Sequence, residues 1–200
     1  PLLEEELAGS PVISEHEITG FDAVEWTLAN GVKVVYRESS QEGNKLALKA
    51  YSPGGTSLYE EDMLPTVEMT VPFVKACGLG DYDAMALKRK MESKGLKCEA
   101  SIRELNEYVI ASALPEDVES MLQLVYMTFV QPRFDREVFG KMMAQQLMQS
   151  RMQGMNLLQD TVKRLQSGCH PRALLKNAAY FGKVNLDKIE QVYRERFSNA

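Results

Sequence analysis

The chain has 200 residues, of which 44% are hydrophobic and 26% charged, a composition typical of one globular domain with enough chain to bury a core. Its formal net charge is −5 and its pI is near 5.2, which argues against binding to nucleic acid or to an anionic membrane, because such proteins concentrate lysine and arginine. No apolar run approaches the roughly 20 residues that a membrane-spanning helix needs.

The first 20 residues are acidic, are interrupted by proline and glycine, and show little periodicity. They predict an interdomain connector at residues 1–20, followed by a single domain at residues 21–200 whose first ordered element begins near Ala23. Because the connector lacks the basic and apolar regions of a signal peptide, we expect the chain to be cut from a longer protein.

Alternating apolar and polar residues predict three strands in the next stretch. The first begins near Val24, and Asn30-Gly31 separates it from the second, a strong hairpin signal because a type I′ turn needs positive φ at both central residues. After a polar loop, a third strand over residues 45–52 leads into Pro53-Gly54-Gly55.

A helix is predicted at Pro65–Cys77, after an acidic turn. Pro72 lies inside this helix, where it removes a backbone hydrogen bond and is expected to kink or shorten the element. The buried face is predicted from apolar residues at three-and-four spacing, which are Leu64, Val67, Val71 and Val74.

The remaining elements are predicted from caps and periodicity. A second helix, capped by Asp81 or Asp83 and ending at Lys94, precedes a hairpin of two strands over residues 96–102 and 107–114. Everything after the hairpin is helical. Three strands, two helices, two strands and then helices only predict an α+β fold, in which a mostly antiparallel sheet carries helices on one face.

Two of the later helices have patterns that predict their buried sides. A helix beginning at Pro115 carries the stripe Val118, Leu122, Val125 and Phe129. In the long helix from Asp135 to about Gln153, methionines between positions 142 and 155 indicate core packing. A peptide-binding groove is the alternative interpretation, since methionine repacks easily.

Cys77, Cys98 and Cys169 are odd in number and widely spaced, so they predict neither a disulfide framework nor a CxxC metal knuckle. We interpret them as buried free thiols. A GxSxG nucleophile elbow and a GxxxxGK[ST] phosphate loop are both absent from the sequence.

Four segments resemble the pitrilysin/insulinase family of zinc metallopeptidases, which includes the mitochondrial processing peptidases. They are SPGG, LANGVKVVYRESS, LPEDVESMLQLVYMTFVQPRFDREVF and YRERFSNA, and the resemblance runs from about Ala23 to the end. It implies one repeat of that fold. In the family such an ending leads into another strand, so the resemblance implies a domain truncated before its last strand, with an open sheet edge that favours self-association.

The resemblance also implies that this repeat is non-catalytic. In the family the first helix carries the zinc motif HxxEH, whose positions fall here on Val67, Thr70 and Val71. The only histidines of the chain, His16 and His170, lie elsewhere. Two imidazoles and a carboxylate are needed to hold and activate zinc-bound water, so no catalytic or metal-binding residue is predicted.

Two further family features are missing from the sequence. The third zinc ligand would fall near residues 142–150, but no aspartate or glutamate occurs from Val138 to Gln159. The R-x6-Y pair that holds substrate in the family's partner halves would fall at Met91–Cys98, which has neither residue type at these positions. Substrate-binding residues are therefore not assigned from the sequence.

Together with these absences, the resemblance implies an inactive repeat that helps to enclose a chamber and binds extended peptide substrate while another half of the same polypeptide hydrolyses it. Zinc is expected only in that catalytic half. The resemblance implies a periplasmic or cell-envelope protein rather than a cytoplasmic one. The charge and hydropathy of the chain predict no nucleic-acid or membrane partner. The alternative is a free-standing α+β domain that binds a ligand or a protein without catalysis.

Overall fold

A computed structural model describes residues 2–4, 7–39, 43–153, 157–168, 170, 172 and 175–197. The strands are β1 Val12–Ile18, β2 Ala23–Leu28, β3 Lys33–Arg37, β4 Leu46–Pro53, β5 Lys97–Ile102 and β6 Asn106–Ala113. The helices are α1 Leu64–Cys77, α2 Ala84–Ser93, α3 Val118–Val130, α4 Arg136–Gln153, α5 Leu157–Gln166, α6 Ala178–Phe181 and α7 Leu186–Phe197.

The strands form two antiparallel sheets, with the orders β1-β2-β3 and β4-β6-β5. The predicted α+β fold is confirmed, although the strands were expected in a single sheet. Helices α1, α3 and α7 pack on one face of the second sheet, where Val109 and Ala111 of β6 are buried. The opposite face exposes Tyr51 and Ile110.

Ordered structure begins earlier than predicted. Strand β1 pairs with β2, and Ile18 lies opposite Ala23 across the turn. Nearly all side chains of β1 are exposed, so this strand is held by backbone pairing and leaves no burial pattern in the sequence. The expectation that the first element begins near Ala23 is wrong, whereas the connector role of residues 1–20 stays a prediction.

Helix α1 is more deeply buried than its predicted face. Leu64, Val67 and Val74 are at most 3% exposed, as predicted, but Val71 is only half-buried. The helix continues through the exposed Pro72 to Cys77, so Pro72 does not shorten it, and the kink stays a prediction. Packing on several sides outweighs the loss of one backbone hydrogen bond, a cost of about 3 kcal/mol in a helix interior.

The buried side of α3 differs from the predicted stripe. Met121, Leu124 and Met127 are at most 1% exposed, whereas Leu122, a member of the predicted stripe, is 48% exposed. Apolar residues surround most of this helix, so periodicity alone did not identify the side that meets the sheet.

The methionines of α4 divide between core and surface. Met143 is buried against Tyr180 and Phe181 of α6, whereas Met148 and Met152 are exposed. Core packing is therefore the correct interpretation for Met143 and for the partly buried Met142, which packs against the same core. Met155 and Cys169 lie outside the described residues.

The two described cysteines, Cys77 and Cys98, are free thiols. Cys77 is buried and Cys98 is half-buried, and burial raises the pKa of both thiols above the ordinary value. None of the described helices is both long enough and apolar enough to cross a membrane.

Helix α7 places two aromatic side chains in the centre of the core. The ring centroids of Tyr193 and Phe197 are 4.8 Å apart, and both residues are at most 2% exposed. The Tyr193 hydroxyl donates a 2.6 Å hydrogen bond to the carbonyl oxygen of Thr128 in α3. This bond satisfies the only polar atom of a fully buried ring and ties α7 to α3.

The end of β4 is docked on the β5–β6 turn. Thr56 N–H donates to the Arg103 carbonyl and Ser57 N–H to the Glu104 carbonyl, both at 2.8 Å. Gly55 has φ +65°, and a Cβ at this position would collide with the Arg103 carbonyl. The close approach of the two backbones therefore requires glycine here.

A buried carboxylate joins this junction to α7. Glu107 is 3% exposed, and its Oε2 accepts a 2.7 Å hydrogen bond from Gly55 N–H. Its Oε1 lies 3.4 Å from Arg196 Nη1. Nearby, the Tyr59 hydroxyl donates a 2.9 Å bond to Glu195. A buried carboxylate loses its hydration, and this loss must be compensated by hydrogen bonds or by an opposite charge. Here the Gly55 amide and the Arg196 guanidinium provide this compensation.

Replacing Glu107 by alanine should lower the free energy of unfolding by about 3 kcal/mol, because the Arg196 guanidinium would be left largely buried without a counter-charge. Glu99 is the matched control. Its carboxylate is 63% exposed and lies 3.6 Å from Lys75, so Glu99→Ala should cost less than about 0.5 kcal/mol. Urea unfolding measures both losses, and equal values would contradict the role given to Glu107.

Three of the eight tyrosines should ionise late in an alkaline titration. Burial and the hydrogen bond to Glu195 raise the pKa of Tyr59 to about 12, and burial raises the pKa of Tyr180 and Tyr193. Because folding favours the neutral phenols, their contribution to stability is complete below pH 10, the ordinary tyrosine pKa, and is lost as pH rises toward 12 and above. Tyrosinate absorbance follows the titration. Ionisation of all tyrosines near pH 10 in a folded protein would contradict this prediction.

Candidate functional site

The three positions that match the zinc motif lie in α1 and carry no metal ligand. Val67 is 1% exposed and Thr70 is fully buried, with its hydroxyl donating a 2.8 Å bond to the Thr66 carbonyl. Val71 is half-buried. Hydrocarbon side chains and an internally bonded hydroxyl cannot replace imidazole and carboxylate ligands, so these residues do not fit zinc.

The stretch that matches the third zinc ligand, near residues 142–150 of α4, packs against α1 but contains no carboxylate. His16 is an exposed residue of β1, and Ser150 of α4 donates its hydroxyl to the Leu147 carbonyl in its own helix. Among the described residues, no group of three or more histidine, cysteine, aspartate or glutamate side chains could hold a metal ion. The absence of a metal from the whole chain stays a prediction.

Strand β5 lies at one edge of the second sheet and pairs there with β6 only. Arg103 N–H donates to the Asn106 carbonyl at 2.7 Å, where the hairpin closes. Hydrogen-bonded and non-hydrogen-bonded pairs alternate along an antiparallel ladder. Because Arg103 and Asn106 form a hydrogen-bonded pair, the next pair, Ile102 and Glu107, is a non-hydrogen-bonded one. Ile102, Ala100 and Cys98 therefore direct their N–H and C=O groups away from β6.

Helix α1 follows this edge. Glu68, near its start, lines the same cavity as Ile102, and Lys75, near its end, places Nζ 3.6 Å from the Glu99 carboxylate. Seven helical residues rise about 10 Å, which is close to the span of three strand residues. The helix and the edge strand therefore run side by side.

A groove of about 570 Å³ lies where α1 and the end of β5 meet His170, Arg172 and Lys176. We call it the edge groove. Its lining residues are Thr56, Leu64, Glu68, Ile102, Arg103, Glu104, His170, Arg172 and Lys176.

Charged side chains of the edge groove are held by specific partners. Glu68 lies 3.1 Å from Lys176 Nζ and accepts a 2.7 Å hydrogen bond from the Tyr180 hydroxyl, whose pKa is raised by burial and by this bond. Arg172 donates to the carbonyl oxygens of Thr56 and Tyr59 at 2.6 and 3.0 Å.

Arg103, at the β5–β6 turn, is one of the residues that line the edge groove. Its guanidinium donates to the Tyr108 hydroxyl at 3.2 and 3.3 Å, and this hydrogen bond lowers the pKa of Tyr108. Within the described part of the chain, Arg103 and Arg172 have no carboxylate within ion-pair distance.

The sequence did not predict the edge groove. Of its lining, only His170 was compared with the zinc motif, and it accepts a 3.2 Å hydrogen bond from Arg172 N–H. Glu68 and Lys176 are more than 100 positions apart, and Lys176 lies in a stretch without periodicity. No local pattern could have placed them together.

No family model matches the chain, and no curated protein matches it. Solved structures do. The periplasmic protease PqqL from Escherichia coli matches with a TM-score of 0.82 and 16% identity, over 100% of this chain and 22% of that chain. A mutant of the ferredoxin protease FusC, in complex with Arabidopsis ferredoxin, matches with a TM-score of 0.81 and 16% identity. The match covers 98% of this chain and 22% of the FusC chain.

A third structure, a peptidase M16 inactive domain from Pseudomonas fluorescens, matches with a TM-score of 0.67 and 19% identity, over 86% of this chain and 42% of that chain. The chain thus spans about a fifth of the length of PqqL and of FusC. At such identities the comparison establishes the fold. The resemblance to the pitrilysin-type zinc peptidases is confirmed at that level: this chain has the α+β fold of the M16 peptidases.

Proposed function

We propose that this chain is a non-catalytic repeat of a zinc peptidase, which binds extended peptide along β5 while another part of the same polypeptide hydrolyses it. The observation that carries the proposal is that two features occur together beside α1. The motif positions Val67 and Thr70 are buried core, whereas the neighbouring strand keeps a row of outward backbone groups.

An unpaired strand edge binds peptide by main-chain hydrogen bonds, and adjacent pockets then select side chains. Both parts are present beside α1. Ala100 and Ile102 supply outward donors and acceptors, and the edge groove begins at Ile102. The exposed sheet face and the helices on the other side would form one wall of a chamber.

The size of the similar proteins supports a partner half. This chain matches about a fifth of PqqL and FusC, so a catalytic part that holds zinc would lie elsewhere in the polypeptide. PqqL is described as periplasmic, which supports a periplasmic or cell-envelope location for the protein that contains this chain.

Zinc content and hydrolysis test the non-catalytic part of the proposal. Protein purified without chelators should contain no stoichiometric zinc and should leave an unstructured peptide intact, because the motif positions offer no nitrogen or carboxylate ligand. Elemental analysis and mass spectrometry of the peptide measure both. Stoichiometric zinc that only a strong chelator removes would contradict the prediction.

Amide hydrogen exchange tests the peptide-binding part. The outward N–H groups of Ala100 and Ile102 should exchange rapidly in the free protein and become protected when an alternating valine–threonine peptide is added. The N–H groups of Glu99 and Ser101 already point to β6 and are the matched control, with little expected change. Protection confined to another edge, or no protection at all, would contradict binding along β5.

A further inference from the structure

We infer that the edge groove selects extended peptides that carry an acidic side chain beside Arg103 and Lys176. This inference rests on the proposed function, because it names the kind of peptide that β5 would bind. The groove lies at the carboxyl end of β5, so a peptide paired along Ala100 and Ile102 would pass over it.

The charges of the lining support an acidic ligand. The chain as a whole has a net charge of −5, yet three cationic side chains, those of Arg103, Arg172 and Lys176, line the groove with two carboxylates. Glu68, one of these carboxylates, already contacts Lys176 and the Tyr180 hydroxyl. A ligand carboxylate would supply the counter-charge that the two arginines lack among the described residues.

The guanidinium of Arg172 is pre-organised to bind a ligand carboxylate. Two carbonyl oxygens hold its guanidinium, and the side chain is only partly exposed, so its position is fixed before a ligand arrives. Carbonyl oxygens orient the guanidinium without neutralising it, and a guanidinium has five N–H groups, so donors remain for a carboxylate. Lys176 and Arg103 lie at the surface and would attract the ligand.

The apolar part of the lining favours a peptide over a free anion. Leu64 and Ile102 form walls that can contact the methylene groups of a glutamate side chain. The strand edge next to these walls offers backbone hydrogen bonds that only an extended chain can use.

Three fluorescent heptapeptides of alternating valine and threonine, with glutamate, glutamine or lysine at the centre, test the inference. The glutamate peptide should bind about fivefold more tightly than the glutamine peptide and the lysine peptide most weakly, and added salt should reduce the difference. Fluorescence anisotropy gives the dissociation constants.

Charge reversal localises the preference. The double variant Arg103→Glu/Lys176→Glu should prefer the lysine peptide, whereas Lys88→Glu/Arg89→Glu, with the same change in net charge on the exposed surface of α2, should keep the wild-type order. Should the first variant not fold, Arg103→Gln/Lys176→Gln should clearly reduce the preference for the glutamate peptide, with Arg172 as the only arginine or lysine left among the described lining residues.

The outcomes separate the inference from the proposed function. Equal affinities for the three peptides in the wild-type protein, or an acidic preference that survives reversal of Arg103 and Lys176, would overturn the inference and leave peptide binding in place. No binding of any peptide would overturn the proposed function and the inference together.

Discussion

The carboxylate of Glu107 is the constraint on which the second sheet and its helices depend. It is buried on β6, and it accepts the N–H of Gly55 at the end of β4 while lying against Arg196 of α7. A buried carboxylate tolerates few alternative arrangements, because each lost partner leaves a charge without compensation. One side chain therefore fixes three elements, and with them the β5–β6 turn that carries Arg103.

The same junction explains why the groove beside α1 keeps its shape. The backbone after Gly55 is bonded to the β5–β6 turn, and the carbonyl oxygens of Thr56 and Tyr59 hold Arg172 from the other side. Residues from distant parts of the sequence thus line one groove. Carbonyl oxygens hold Arg172 and the Tyr108 hydroxyl holds Arg103, so among the described residues neither guanidinium is paired with a carboxylate.

Helix α1 illustrates how one element can serve either chemistry or packing. A zinc site needs polar ligands at positions that face a cavity, whereas Val67 and Thr70 here fill a core. What α1 keeps is its place beside the edge of β5, and peptide binding along that edge requires no metal. A free-standing binding domain would use the same surface. Finding an HxxEH helix elsewhere in the polypeptide would favour the repeat of a zinc peptidase over the free-standing domain.

The sequence by itself determined the class of fold and the absence of an HxxEH motif. Alternation, the Asn30-Gly31 turn and helix caps such as Asp83 are local signals, since each depends on residues close in the chain. Tertiary structure alone decided that α3 buries Met121 rather than Leu122, because apolar residues lie on most sides of this helix and its periodicity does not select the side that meets the sheet. Tertiary structure also decided which charged residues line the edge groove, because contacts between distant parts of the chain bring them together and leave no periodic pattern in the sequence.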